Sequence, residues 1–530
     1  MTITGDKVQV HKKIEVNVDW ISRELGVGES FDVIKRDIIF AGRKATLFYI
    51  NGLVKDDVMT YILTSISKLE RENLVPDAFL KVYNQYLSHI QVSAVDDLHE
   101  VVDKILTGEL AMIVDGFDKV FSIDVRKYPA RNPEESDLER VVRGSRDNFI
   151  ETIIFNTALI RRRVRDPKLR TEILQVGSRS KTDISVVYIK DIANPKLVKT
   201  IKKRIQDIKM DGLPMAEKSL EEFISPGSFW NPFPRVRYTE RPDVAAAHLL
   251  EGHVLVMVDT SPSIMILPAT LFHHLQHAEE FRQAPLIGTF VRAVRFIGVA
   301  ASVFLPPLWL LVALQPNLLP PNLKFIGPKE IGHVNLIWQF LFAELGVDLM
   351  RLAAIHTPTS LATALGLIAA VLIGEIAIEV GLFNPEVVLY MAIAAVGIFA
   401  TPSYELGMAN TIIRILLIIG VGLFGIPGLV AILLATMILL LTTKSFGLPY
   451  LWPLVPFNLR AIKDILIRPP VPLLKLRSKA LHPLDMDRQP YPTVARRPLN
   501  QKQVTKAGQI KEEETKIWPE LDKEDDGNGR

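Results

Sequence analysis

"LTGELAMIVDGFDKVFSID" (residues 106–124) joins a helix end, a glycine, an unbroken apolar run, an aspartate and a second apolar run. The same order returns as "LEGHVLVMVDTSPSIMILP" (250–268), with Gly108 answering Gly252 and Val114-Asp115 answering Val258-Asp259. Upstream, "GRKATLFYINGLVKDDVMTYI" (42–62) pairs with "GSRSKTDISVVYIKDIANPKLVKTI" (177–201), so that Tyr49-Ile50 matches Tyr188-Ile189 ahead of a helical pattern. Short β-rich runs alternating with amphipathic helical patterns argue for an α/β region. The repeated order predicts two related subdomains, roughly 30–130 and 150–270.

The 530 residues are 48% hydrophobic and 23% charged, with a mean hydropathy of +0.21. That average hides a division, since only twelve charged residues lie between Arg295 and Thr443. The expected fold is therefore an α/β soluble region followed by an all-α transmembrane helix bundle. Its divisions are 1–145 and 146–285 for the two α/β subdomains, 286–445 for the bundle, and 446–530 for a basic juxtamembrane segment with a disordered tail. A net charge of +3 is too near balance for a nucleic-acid binder. Zero cysteines exclude disulfides, thiolate metal sites and cysteine nucleophiles.

Apolar stretches at 289–314, 334–355, 361–382, 387–403 and 406–443, the last broken by "GIPG" at 425–428, give four to six spans, with six preferred. The start "MTITGDKVQVHKKIEVNVDW" (1–20) has no apolar signal core. Beyond Thr443, Lys444, Arg460, Lys463, Arg468, Lys475, Arg477 and Lys479 face the single acid Asp464. Both observations predict cytoplasmic termini and an even number of crossings.

No Walker loop, nucleotide fingerprint, nucleophile elbow or zinc-protease helix occurs, so the chain is expected to be non-enzymatic and to need no cofactor. The chemistry on offer is the set of ionisable residues inside the apolar block: Glu344, Asp348, Arg351, Glu375, Glu379, Glu405 and Arg414. Each costs about 2.5–3.5 kcal/mol at the centre of a spanning helix unless something compensates. Asp348 and Arg351, three apart, can offset one another, with Arg351, Glu405 and Arg414 as charge partners. Glu375 and Glu379, in "LIGEIAIEVGLF" (372–383), share a helix face and have no local cation. With Glu344 and Asp348 they are candidates for an ion path, against the alternatives of a proton relay or neutral acids bonding neighbouring helices. Outside this block, Arg161, Arg162, Arg163 and Arg165 mark a basic helix between the subdomains, read as a solvated face making salt bridges. His273 and His277, with Glu280 nearby, have zinc-like spacing but lack the order of a zinc helix, so no metal is expected.

Four stretches resemble the A-subunit family of bacterial spore germinant receptors: "VVRGSRDNFIETIIFNTALIRRRVRDPKLR" (141–170), "VGSRSKTDISVVYI" (176–189), "FPRVRYTERPDVAAAHLLEGHVLVMVD" (233–259) and "TTKSFGLPYLWPLVPFNLRAIKDILIRPP" (442–470). The resemblance covers about 30–480, and "LFYINGLVKDDVMTYIL" (47–63) points to one branch within the family. It implies an integral protein of the spore inner membrane, in contact with lipid and other germination proteins. It also implies a homo-oligomer, pentameric in its relatives, that conducts cations when germination begins. The alternative it implies is a nutrient-receptor A subunit working with a transporter-like B subunit and a lipoprotein C subunit. A glutamine is usual in the family where this chain has Glu375, whereas the Glu379 position is usually acidic.

Overall fold

The computed structural model describes residues 7–488 except 88–90, 129–138, 140, 226, 228–229, 329–332 and 357–373. The expected disorder of the last thirty residues, and most of the 361–382 stretch, lie outside the described residues.

Two five-stranded antiparallel sheets build the α/β region. The first contains β1 (Val33–Phe40), β2 (Arg43–Ile50), β3 (Val92–Val95), β4 (Leu110–Val114) and β5 (Val120–Ile123), in the order β1-β2-β4-β5-β3. The second contains β6 (Leu169–Val176), β7 (Thr182–Ile189), β8 (Arg237–Thr239), β9 (Val254–Val258) and β10 (Ile264–Leu267), in the equivalent order β6-β7-β9-β10-β8. Each of the opening stretches thus supplies the two adjacent inner strands of its sheet. Leu110–Val114 and Val254–Val258 are buried throughout. The reason is that helices cover both faces, so successive side chains enter opposite cores and every position must be apolar. Ala111 and Ile113 join α1 (Ile14–Leu25) and a later helix at Leu98–Leu106, while Leu110, Met112 and Val114 join α2 (Asp56–Ser67). With α3 for Leu98–Leu106, the second unit repeats the layering through α4 (Ile153–Arg163), α5 (Pro195–Gln206) and α6 (Pro242–Glu251). Gly108 and Gly252 both follow a helix at φ 98° and 100°, a region that glycine enters without steric cost.

Polar locks recur as well. The buried Asn17 side chain accepts from His11 N–H at 2.8 Å and donates to its carbonyl at 2.6 Å; Asn156 makes the same pair with Ile150 at 2.8 and 2.6 Å. Asp115 accepts from the first helical N–H, Ile14, at 3.3 Å, and Asp259 from Ile153 at 3.0 Å. A carboxylate at a helix N-terminus satisfies an orphan donor and opposes the helix dipole.

The basic helix between the units is α4, and it corrects the solvated-face expectation at one residue. Arg161 is fully buried, with Nε 2.8 Å and Nη2 3.1 Å from the Asp32 carboxylate of the first unit. Arg163 pairs with Asp147, Arg162 lies 4.9 Å from the Tyr128 ring, and Arg165 is exposed. Arg170–Glu29 and Lys168–Glu24 extend the seam at 2.7 Å each.

The C-terminal part is helical: α7 (Pro285–Leu314), α8 (Leu336–His356), α9 (Pro385–Phe399), α10 (Tyr404–Phe424) and α11 (Ile426–Thr442). By length and composition, α7 and α10 are apolar enough to cross a membrane, while α9 and α11 are shorter apolar helices. Gly425, at φ 61°, breaks the 406–443 run into α10 and α11. A Cβ on Gly428 would collide with the Gly420 carbonyl oxygen, and one on Gly397 with that of Gly298. Glycine at both crossings therefore lets backbones touch, as small residues do between membrane helices. The chain then returns to the second α/β unit. Ser445 Oγ accepts from Ala269 N–H at 3.0 Å and donates to the Arg235 carbonyl at 2.6 Å, and Leu484 N–H donates to Ile192 at 2.9 Å. Residues 444–488 thus brace this unit.

Candidate functional site

A proline in α7 creates the polar centre of the bundle. Pro306 lacks the N–H that Ser302's carbonyl would accept one turn earlier. Arg414, on α10 and fully buried, fills the vacancy by donating from Nη1 to Ser302 O at 2.6 Å. The rest of its guanidinium grips Glu344 of α8, with Nε 2.8 Å from Oε2 and Nη2 on Oε1. Three helices are thereby joined by one bidentate pair, the geometry that best offsets the desolvation of two charges. Gln339 and Asn384 form a neutral clip nearby. Gln339 Nε2 donates to Asn384 Oδ1 at 2.9 Å, and Asn384 N–H donates to Gln339 Oε1 at 2.7 Å.

Asp348 and Arg351 approach each other at 3.4 Å along α8, and Arg351 Nη1 also reaches Met408 Sδ at 2.8 Å. Glu405 lies in the first turn of α10 and accepts from Ser403 Oγ at 3.0 Å.

Glu375 and Glu379 sit differently. They are one turn apart in the short helical stretch 374–379, which ends at Gly381 with φ 72°. Both are exposed, as are Ile376 at 42% and Val380 at 57%. Among the described residues neither carboxylate has an ion-pair partner. Glu344 is thus committed internally, while the two acids and their apolar neighbours Ile376 and Val380 stand exposed.

A second charged node lies where the α/β region meets α7. Glu280, fully buried, pairs with Arg292 at 2.7 Å and with Arg295. Arg292 Nη1 also donates to the Asp464 and Ile465 carbonyls at 2.9 and 2.6 Å. The residue that zinc-like spacing placed near His273 and His277 is therefore spent on arginines. Among the described residues no group of three or more His, Cys, Asp or Glu is placed to hold a metal. His273 instead packs ring-to-ring with His248 and His253, at 6.0 and 5.1 Å between centroids. Burial disfavours the imidazolium and pushes His253 down to about 4, with His248 and His273 also well below the usual value.

Sequence reasoning found the members of the Arg414–Glu344 pair but not their pairing. It passed over Gln339–Asn384 and His248–His253 altogether. Pro306 is the signal that could have found the first, because a proline inside a long helix announces an orphan carbonyl.

Residues 20–480 match the family model described as Bacillus/Clostridium GerA spore germination protein. The chain is 50% identical over 485 residues to stage V sporulation protein AF of Bacillus subtilis (strain 168), covering 92% of this chain and 98% of that protein. It is 29% identical to spore germination protein B1 of the same organism, covering 91% and 100%, and 29% identical to spore germination protein GerLA of Bacillus cereus, covering 90% and 98%. The crystal structure of the N-terminal domain of the A subunit of the Bacillus megaterium spore germinant receptor GerK3 is 28% identical, with a TM-score of 0.40, over 50% of this chain and 99% of that one.

Proposed function

Because the chain belongs to the Bacillus/Clostridium GerA spore germination family, we propose that it serves germination as a non-catalytic, oligomeric membrane subunit through which monovalent cations pass. On this reading the helical part is embedded in the spore inner membrane with both termini cytoplasmic, and copies assemble into a ring, with five as the number the family resemblance implies. The α/β units assemble and regulate that ring. The observation that carries the reading is the contrast between Glu344, paired with Arg414, and Glu375 and Glu379, which are exposed and have no ion-pair partner among the described residues. Lipid cannot solvate two carboxylates, so such a face calls for water and further copies. Acidic rings of this kind favour cations.

The alternative is a germinant-receptor A subunit that acts only with other subunits, and the 29% identity to proteins named for spore germination supports it. Reconstitution separates the two. Vesicles holding the purified chain alone should pass monovalent cations, and the particle should contain several copies. A single-copy particle, or vesicles that stay tight unless other germination proteins are added, would favour the receptor-subunit reading.

A further inference from the structure

The segment that follows the bundle contains a short helix, α12 (Leu459–Leu466), whose residues divide into three sectors at 100° per residue. Ala461 and Ile465 turn toward the protein, and Ile465 is buried. Arg460, Lys463 and Asp464 form an exposed polar sector. Leu459 and Leu466 lie together on a third sector, exposed at 69% and 50%. The apolar exposure continues on both sides of the helix, at Phe457 (72%), Ile467 (49%), Val471 (60%) and Leu473 (64%).

This helix does not dangle. The buried Arg292 guanidinium caps its last carbonyls, those of Asp464 and Ile465. Arg468 N–H donates to Thr289 Oγ1 at 3.1 Å, and Arg468 Nη2 donates to the Phe281 carbonyl at 2.7 Å. These contacts lie at the first turns of α7 and, at Phe281, just ahead of it, and Leu286 (82%) and Phe290 (68%) are exposed there too. The exposed apolar sector of α12 therefore stands beside the start of a helix long enough to span a membrane. Arg460 and Lys463 are exposed on the same helix, in a stretch whose seven lysines and arginines between Lys444 and Lys479 stand against one acid, Asp464. Apolar side chains on one sector with lysine and arginine beside them fit the boundary between lipid headgroups and acyl chains, above all where the headgroups are anionic.

We infer that α12 and its flanks form an interfacial anchor: Leu459 and Leu466 dip into the acyl boundary of an anionic bilayer, Arg460 and Lys463 reach its headgroups, and the Arg292 clamp fixes the depth at which α7 enters. This rests on the membrane reading of the helical part, and the test keeps the two apart. A chain without cysteine accepts single spin labels cleanly. Leu459→Cys, Leu466→Cys, Arg460→Cys and, as a reference on the exposed side of mid-α7, Ile297→Cys are labelled in the full chain, each in vesicles of mixed zwitterionic and anionic phospholipid. Collision with oxygen is then compared with collision with an aqueous nickel chelate. The expected result is an oxygen-to-nickel ratio several-fold higher at 459 and 466 than at 460, and highest at 297. Labels at 459 and 466 as open to nickel as 460, with 297 still immersed, would overturn the anchor and leave the membrane reading standing. All four open to nickel would overturn both. Spin–spin broadening at 459 and 466 that vanishes on dilution with unlabelled chain would assign the face to a second copy and overturn the anchor likewise.

Discussion

Glu344 and Glu379 are both carboxylates in an apolar stretch, yet amidation should affect them in opposite ways. Glu344→Gln removes the counter-charge of a fully buried Arg414. Breaking one side of a buried pair costs about 3–5 kcal/mol, so the purified protein in detergent should unfold at a clearly lower temperature. Glu379→Gln, at an exposed site, should leave that transition in place. Equal stability of the two variants would mean that the Arg414 pair does not hold the bundle. The identity of these residues was legible in the sequence, because any charge in an apolar run stands out. Their partners were not legible. Glu344 and Arg414 lie on different helices, and which acid meets Arg414 depends on where Pro306 opens α7, a tertiary fact.

Elements were legible where burial dictates composition. The middle strand of each sheet had to be a continuous apolar run between a glycine and an aspartate, so the repeat could be read directly from residues 106–124 and 250–268. The repeat read from the sequence, roughly 30–130 against 150–270, leaves out α1, the counterpart of α4, although the division 1–145 contains it. Aligned, Ile14–Leu25 and residues 153–164 share only Ile14 with Ile153, Asn17 with Asn156, Ile21 with Ile160 and Arg23 with Arg162. Most of those positions face different neighbours in each unit and have diverged. The asparagine persists because it closes the loop ahead of each helix. Asn17→Ala and Asn156→Ala should each remove two hydrogen bonds to the loop backbone, worth about 0.5–1.5 kcal/mol apiece. Denaturant titration of the two variants checks this, and a loss confined to one of them would show that the locks are not equivalent.

At the scale of the whole molecule, the junction between the second α/β unit and the bundle was the least legible part. Much of it is assembled from residues far apart in sequence: Arg292 with the Asp464 and Ile465 carbonyls and Ser445 with Arg235 and Ala269, alongside the neutral His248–His253–His273 group. That group makes stability depend on pH. The folded values lie below the ordinary 6.5, with His253 at about 4, so the unfolded chain binds more protons in between. Protection of the Val254–Val258 amides from hydrogen exchange should therefore be complete above about pH 6.5 and fall as pH drops toward about 4. Protection unchanged across that window would show that the histidines are not buried as neutral groups. Such a junction ties the α/β units to the helices, which is the connection a gated assembly needs. The central claim, that Glu375 and Glu379 face a cation path shared between copies, is tested most directly by monovalent cation flux into vesicles holding equal amounts of wild type, Glu375→Gln, Glu379→Gln and the double variant, each with its oligomer intact. The account predicts a large loss of flux for Glu379→Gln, a smaller one for Glu375→Gln and the lowest flux for the double variant. Wild-type flux in the double variant would contradict it.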